Sequence, residues 1–214
     1  MKLAVNNINK TIRKKVILDN VSLSLRSGNI YGFVGRNGSG KTMLFRALSG
    51  LMRIDSGSIL WGGKTLHKDF SVLPSLGIIL ENAGLYPNLT GIQNLTYLAG
   101  LTKRIGPDEI IRAIDRVGLN PSDKRLYGRY SLGMKQRLAI AQAIMESPDV
   151  IMLDEPTNAL DETGVEEIRD VILEEKERGA LILVASHNKE DIQVLADEWY
   201  RVENGRVIRP GEGS

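Results

Sequence analysis

Eight residues near the start of the chain, Gly35-Arg36-Asn37-Gly38-Ser39-Gly40-Lys41-Thr42, combine what anion chemistry needs: flexible backbone, a cation and a hydroxyl. Glycines at 35, 38 and 40 let successive N–H groups turn inward into a nest. The spacing matches the phosphate-loop template G-x-x-x-x-G-K-[ST] at every fixed position. An apolar run, Ile30 to Val34, leads in and a helix-patterned run leads out, so a helix beginning near Lys41 adds the positive end of its dipole. The pattern predicts a nucleotide phosphate held by Gly35, Asn37, Gly38, Ser39 and Gly40. Lys41 then reaches the β- and γ-phosphates, and the Thr42 hydroxyl ligates Mg²⁺.

Two further strand ends carry matching chemistry. The apolar run Val150-Ile151-Met152-Leu153 ends in Asp154-Glu155, the form of a Walker B strand. There Asp154 holds the metal through water and Glu155 polarises an attacking water. A second run, Leu181 to Ala185, ends in Ser186-His187, where an imidazole can hydrogen-bond the γ-phosphate and that water. In open α/β sheets ligands bind beyond the carboxyl ends of the strands, which is where all three groups fall. Without the upstream loop, two acids at a strand end would read as a helix cap, and a lone histidine as a surface residue. His67 lies in a polar segment and is given no role. Tyr130-Ser131-Leu132-Gly133-Met134-Lys135-Gln136-Arg137 leads into a helical run and places Ser131 and the N–H groups near Gly133 at a helix N-terminus, a second anion site. It belongs to a separate lobe from the phosphate loop, so it is expected to complete a site on another copy.

The surrounding elements form an α/β pattern. Val21, Leu23 and Leu25 alternate with polar residues as in a half-buried strand, and Ile59 to Trp61 form another, giving a β-rich N-terminal layer. Between Asn82 and Met145 the periodicity is helical. Thr90-Gly91-Ile92-Gln93 is a capping box followed by Ile92, Leu95, Leu98 and Leu101 as the buried stripe. Pro107 opens a second helix that Gly118 closes, and a third runs from Leu132 with Met134, Leu138, Ala141 and Met145 on one face. Strand and helix then alternate, with a capping box expected at Thr163-Gly164-Val165-Glu166 and Gly179 closing that helix. Asn204-Gly205 marks a hairpin between Tyr200–Glu203 and Arg206–Ile208, and the Gly-rich tail is expected to fray.

Composition narrows the function classes. The chain has 214 residues, enough for one large domain or two small ones. Lys and Arg outnumber Asp and Glu by only 28 to 26, so no nucleic acid is expected as a partner, and Arg13-Lys14-Lys15 reads as a solvated turn. Without cysteine, disulfides and thiolate metal sites are excluded. Neither the N-terminal stretch nor Asn82 to Thr102, interrupted by Pro87 and Gly or Asn, is a continuous apolar span, so neither export nor membrane crossing is expected.

With these residues in order, the chain resembles the ATP-binding subunits of ABC transporters over nearly all its length. Gly35 to Thr42 matches Walker A, Ser131 to Arg137 the signature, Val150 to Glu155 Walker B with its glutamate, Ala159-Leu160-Asp161 the D-loop and His187 the switch histidine. Leu85 to Thr90 and Ser131 to Arg137 look most like bacterial drug and lantibiotic exporters. The resemblance implies a P-loop NTPase with a RecA-like core, an antiparallel β-subdomain and an inserted helical subdomain. Residues 1–81 and 147–214 correspond to the core and β-subdomain, and 82–146 to the helical subdomain. It further implies a head-to-tail homodimer or heterodimer sandwiching two ATP with Mg²⁺. An integral membrane permease as partner, docked near Glu81 and the helical lobe, completes the picture, at the cytoplasmic inner face of the cell membrane. Three positions depart from the family pattern. The signature is Tyr-Ser-Leu-Gly-Met, Glu81 stands in the Q-loop position with a carboxylate that can touch the metal, and Ile12 stands where an aromatic usually stacks on adenine. A soluble ABC-type ATPase of DNA repair or translation, or a non-catalytic ATP-gated regulatory subunit, would carry the same motor.

Overall fold

The computed structural model describes residues 1–80 and 84–210. It opens with a hairpin, β1 (Lys2–Ile12) and β2 (Lys15–Arg26), followed by β3 (Ile30–Val34) and α1 (Lys41–Ser49). Next come β4 (Ser56–Trp61), β5 (Lys64–Thr65) and β6 (Leu76–Ile79), then the helices α2 (Gly91–Thr102), α3 (Pro107–Arg116) and α4 (Leu132–Ile144). The chain finishes with β7 (Val150–Asp154), α5 (Glu162–Glu177), β8 (Leu181–Ser186), α6 (Lys189–Leu195), β9 (Glu198–Glu203) and β10 (Arg206–Ile208).

Two sheets form. One has the order β2-β1-β4-β5 and is antiparallel throughout. The other runs β10-β9-β3-β8-β7-β6 and is parallel except for β10. Both faces of the parallel sheet are covered, which is why β7 and β8 are apolar at nearly every position. Val150, Met152, Leu181 and Leu183 point into the core shared with α1 and the antiparallel sheet. Ile151, Leu153, Ile182 and Val184 point into the core shared with the helices.

The β1–β2 connection is a two-residue turn in which Arg13 and Lys14 have φ of 48° and 68°. The basic cluster is thus a hairpin tip, and the same geometry recurs at Asn204 and Gly205, with φ of 50° and 78°. Strand β1 was not legible from alternation because the β1–β2 register shifts between Val5 and Ile8, next to the left-handed Asn7 at φ 46°. This bulge breaks the period of two.

Thr90 and Gln93 make both bonds of the expected capping box. The expected stripe fails at its end, since Leu101 is 68% exposed while Ala99 is 3% exposed. Repeated steps of three rotate backward around a helix of 3.6 residues per turn, so the fourth residue after Leu95, Ala99, keeps the buried face and Leu101 leaves it. Helix α5 also differs from expectation. Its N-cap is Asp161, whose carboxylate accepts from the Gly164 N–H at 2.9 Å, so Thr163 lies inside the first turn. An acidic cap two residues earlier captures the same free donors.

Two contacts set the spacing of the layers. A Cβ added at Gly77 of β6 would lie 1.9 Å from the Ala143 carbonyl oxygen of α4, so only glycine allows this strand to approach that helix. Asp197 accepts from the Ile30 N–H at 2.8 Å and pairs with Lys176, fixing the start of β3 against α5. Burial alone would raise the Asp197 carboxyl, but these partners overcome it and hold the group below its ordinary value of 3.8.

Gly77→Ala is expected to destabilise the fold by about 3 kcal/mol, because backbone has to move, as read by urea unfolding. Asp197→Asn should cost about 1 kcal/mol at pH 7. Because the folded-state value is lowered, this difference from wild type persists above pH 3.8 and closes below it, as read by thermal melts across the acid range.

Candidate functional site

Strand β3 delivers the loop between Gly35 and Lys41 at its carboxyl end. Gly38 and Gly40 have φ of 79° and 113°, and a Cβ at Gly35 would lie 2.4 Å from the Val202 carbonyl oxygen. The loop is buttressed from outside by the C-terminal hairpin, whose Gly205 N–H donates to the Ser39 carbonyl at 3.0 Å. Among the described residues no side chain caps α1, and Ser39 Oγ is buried without a hydrogen-bond partner. Lys41 is 6% exposed, and its Nζ donates to the Gly35 carbonyl at 2.7 Å. A buried ammonium, uncapped helical N–H groups and an orphaned hydroxyl around one loop suit a phosphate, which would satisfy all three.

The neighbouring strands bring the acids and the imidazole. In the parallel register Val34 pairs with Ser186 and Asp154 with Ala185, so β3, β8 and β7 end at one level. The Thr42 hydroxyl donates to Asp154 Oδ2. Among the described residues no group of three or more acidic, His or Cys side chains could hold a metal by itself. The Thr42 and Asp154 oxygens are hard donors of the kind Mg²⁺ accepts, with phosphate oxygens needed to complete the shell.

Glu155 stands at φ 53°, a left-handed conformation uncommon for a non-glycine residue. Its N–H donates to the Ala185 carbonyl at 2.8 Å. One carboxylate oxygen, Oε2, lies 2.9 Å from His187 Nδ1 and accepts from the Ser186 hydroxyl at 3.3 Å. The other, Oε1, is buried without a hydrogen-bond partner, 3.6 Å from Lys41 Nζ. A carboxylate held on one oxygen and open on the other can accept a proton from water.

Lys41, Thr42, Asp154 and Glu155 line a cleft of about 670 Å³ that also takes in Asn37, Gln136 and Asn158, while Ser186 and His187 support Glu155 from outside it. Its far wall is formed by Lys15, Val16 and Ile17 of β2, whereas Ile12, at the hairpin end, does not line it. Val16 and Ile17 are the apolar residues of that wall. Gln136 and Ser186 were also missed. Gln136 stands in the sequence only as a member of the signature stretch without a role of its own, and Ser186 is recognisable only from the register that places it between two functional strand ends.

Ser131 and Gly133 stay apart from this cleft. Ser131 is exposed and caps α4, its hydroxyl accepting from the Met134 N–H at 3.2 Å. Gly133 packs on the loop after Glu155, where an added Cβ would lie 2.9 Å from the Ala159 carbonyl oxygen. Glu81 lies outside the described residues.

Comparison with known proteins agrees with this geometry. The profile of the ABC transporter family matches residues 18–158. An uncharacterized ABC transporter ATP-binding protein of Bacillus subtilis, YybJ, is 48% identical over 96% of this chain and 94% of its own. The lantibiotic transport ATP-binding protein SrtF of Streptococcus pyogenes is 36% identical over 96% of this chain and 89% of its own. Among solved structures, the dimeric structure of a post-hydrolysis state of an ATP-binding cassette bound to ADP and Pi superposes with a TM-score of 0.86. That cassette is 21% identical over 97% of both chains and so speaks to the fold alone. By sequence over nearly its whole length and by fold, the chain belongs to the ABC transporter family, as one of its ATP-binding proteins.

Proposed function

We propose that this chain hydrolyses ATP, with Mg²⁺, to power export through a separate membrane permease, and that two ATPase subunits act together. The observation that carries this reading is the convergence of Lys41, Thr42, Asp154 and Glu155 on one cleft at the level ends of three strands, with His187 held against Glu155 beside it. Export follows the transport role in SrtF's name and the exporter-like segments around Leu85 and Ser131. Among the described residues no helix is long and apolar enough to cross a membrane, so the conduit is assigned to the permease.

In this reading the nest from Gly35 to Gly40 binds the phosphates, and Lys41 leaves the Gly35 carbonyl for the β- and γ-phosphates. Thr42 and Asp154 would hold the metal, and Mg²⁺ when bound would supply charge neutralisation across the phosphates. Once Lys41 has turned to phosphate, Glu155 Oε1 is free to orient and deprotonate the attacking water. His187, already 2.9 Å from Glu155, bridges that water and the γ-phosphate.

Ser131 and the N–H groups near Gly133 complete the site of the facing subunit, which a head-to-tail dimer permits because both stay outside their own cleft. The lobe formed by residues 82–146 moves with the nucleotide against the core formed by 1–81 and 147–214. It meets the permease near Glu81, at the cytoplasmic face of the membrane. The exposed Tyr86 and Tyr97, whose rings pack at 5.2 Å, offer that lobe a surface for a partner.

Glu155→Gln is expected to lower turnover about a hundredfold or more while ATP still binds and the ATP-loaded dimer persists on gel filtration. Wild-type turnover in that variant would remove Glu155 from the role of base. Lys41→Ala should instead lose ATP affinity by about tenfold or more in equilibrium binding, since a buried charge on the phosphates is gone. Near-normal affinity there would count against the loop assignment.

A further inference from the structure

Helix α4 enters the site twice, in two chains. Its first turn carries Ser131 and Gly133, which the proposed function gives to the facing subunit, while Gln136 lies in the cleft of its own chain. The Gln136 side-chain nitrogen donates to the Glu155 carbonyl at 3.2 Å and to the Pro156 carbonyl at 3.0 Å. An amide NH₂ has two hydrogens, so both carbonyls are served by one group. They belong to the turn in which Glu155 adopts φ 53°.

A left-handed glutamate persists only where its surroundings hold it. The N–H of Glu155 is held by β8 through Ala185, and its carboxylate by Ser186 and His187. The carbonyl of the same residue accepts from the Asn158 N–H of its own turn at 3.2 Å and from Gln136, which brings the hold from a different element. That element is also packed on the loop that follows, through Gly133 and Ala159.

We infer that Gln136 is a positioning residue for Glu155: by gripping the Glu155 and Pro156 carbonyls it keeps the carboxylate aimed into the cleft and ties that aim to helix α4. A facing subunit that engages Ser131 then acts, through five residues of one rigid helix, on the glutamate of the same chain. The two sites of a dimer are coupled by this path, since α4 completes one site and sets the glutamate of the other. The inference rests on the reading of Glu155 as the base.

The full chain is compared with Gln136→Glu, which keeps the shape but presents oxygen to both carbonyls, and with Gln136→Lys, which keeps a donor of similar reach. ATP affinity, ATP turnover and the lifetime of the ATP-loaded dimer are measured, with Glu155→Gln as reference. Gln136→Glu should lower kcat about tenfold, with ATP affinity within about twofold of wild type and a longer-lived ATP dimer. Gln136→Lys should restore most of the turnover. The inference is overturned if Gln136→Glu turns over like wild type, if it loses ATP affinity in step with kcat, or if Gln136→Lys is no better than Gln136→Glu. Normal turnover in Glu155→Gln would overturn the reading of the base and this inference with it. A dead Glu155→Gln beside a normal Gln136→Glu would overturn the inference alone.

Discussion

The site depends on the parallel register of three adjacent strands. Val34 is paired with Ser186 and Asp154 with Ala185, so the ends of β3, β8 and β7 lie side by side. From that alignment follow the short reaches that matter: Thr42 to Asp154, Lys41 to Glu155, and Glu155 to His187. A slip of one residue in any of these strands would turn its side chains to the opposite face and separate the groups. Burial prevents the slip, because β7 and β8 bury alternate residues in two different cores and neither face can be exchanged for the other without a mismatch.

Within this frame the loop is held in a state that nucleotide can change. Lys41 is satisfied by its own loop, at 2.7 Å from the Gly35 carbonyl, and lies 3.6 Å from a Glu155 oxygen that has no hydrogen bond. An ion pair buried to this degree gains little net stability, because the desolvation of both charges offsets their attraction. A phosphate that draws Lys41 away must replace its bond to the Gly35 carbonyl and its attraction to Glu155 with charge-assisted bonds of its own, and it uncovers the carboxylate at the same moment. The left-handed backbone of Glu155 adds a strain of about 1 to 3 kcal/mol, which the contacts from β8 and α4 sustain.

Much of this was legible in the sequence, for identifiable reasons. The phosphate loop, the Asp154-Glu155 strand end and the Asn204-Gly205 hairpin are local patterns, set by residues adjacent in the chain. What escaped depends on distant partners. Strand β1 is irregular because of the bulge at Asn7, Leu101 is exposed because Ala99 takes the buried face, and α5 starts at Asp161 because an earlier cap competes. The roles open to Gln136 and Ser186 come from elements that meet only after folding. The family resemblance supplied the order of the motifs, whereas the apolar residues that wall the cleft, Val16 and Ile17, are set by the fold.

The central claim is that Ser131, exposed and outside its own cleft, completes the site of a facing copy. The chain contains no cysteine, so Asn37→Cys and Ser131→Cys can be introduced as unique thiols in the Glu155→Gln background and treated with a short thiol crosslinker. The account predicts a covalent dimer joined between the two positions that accumulates with Mg-ATP and not without nucleotide. Absence of that dimer with ATP present, or its equal formation without nucleotide, would contradict the account.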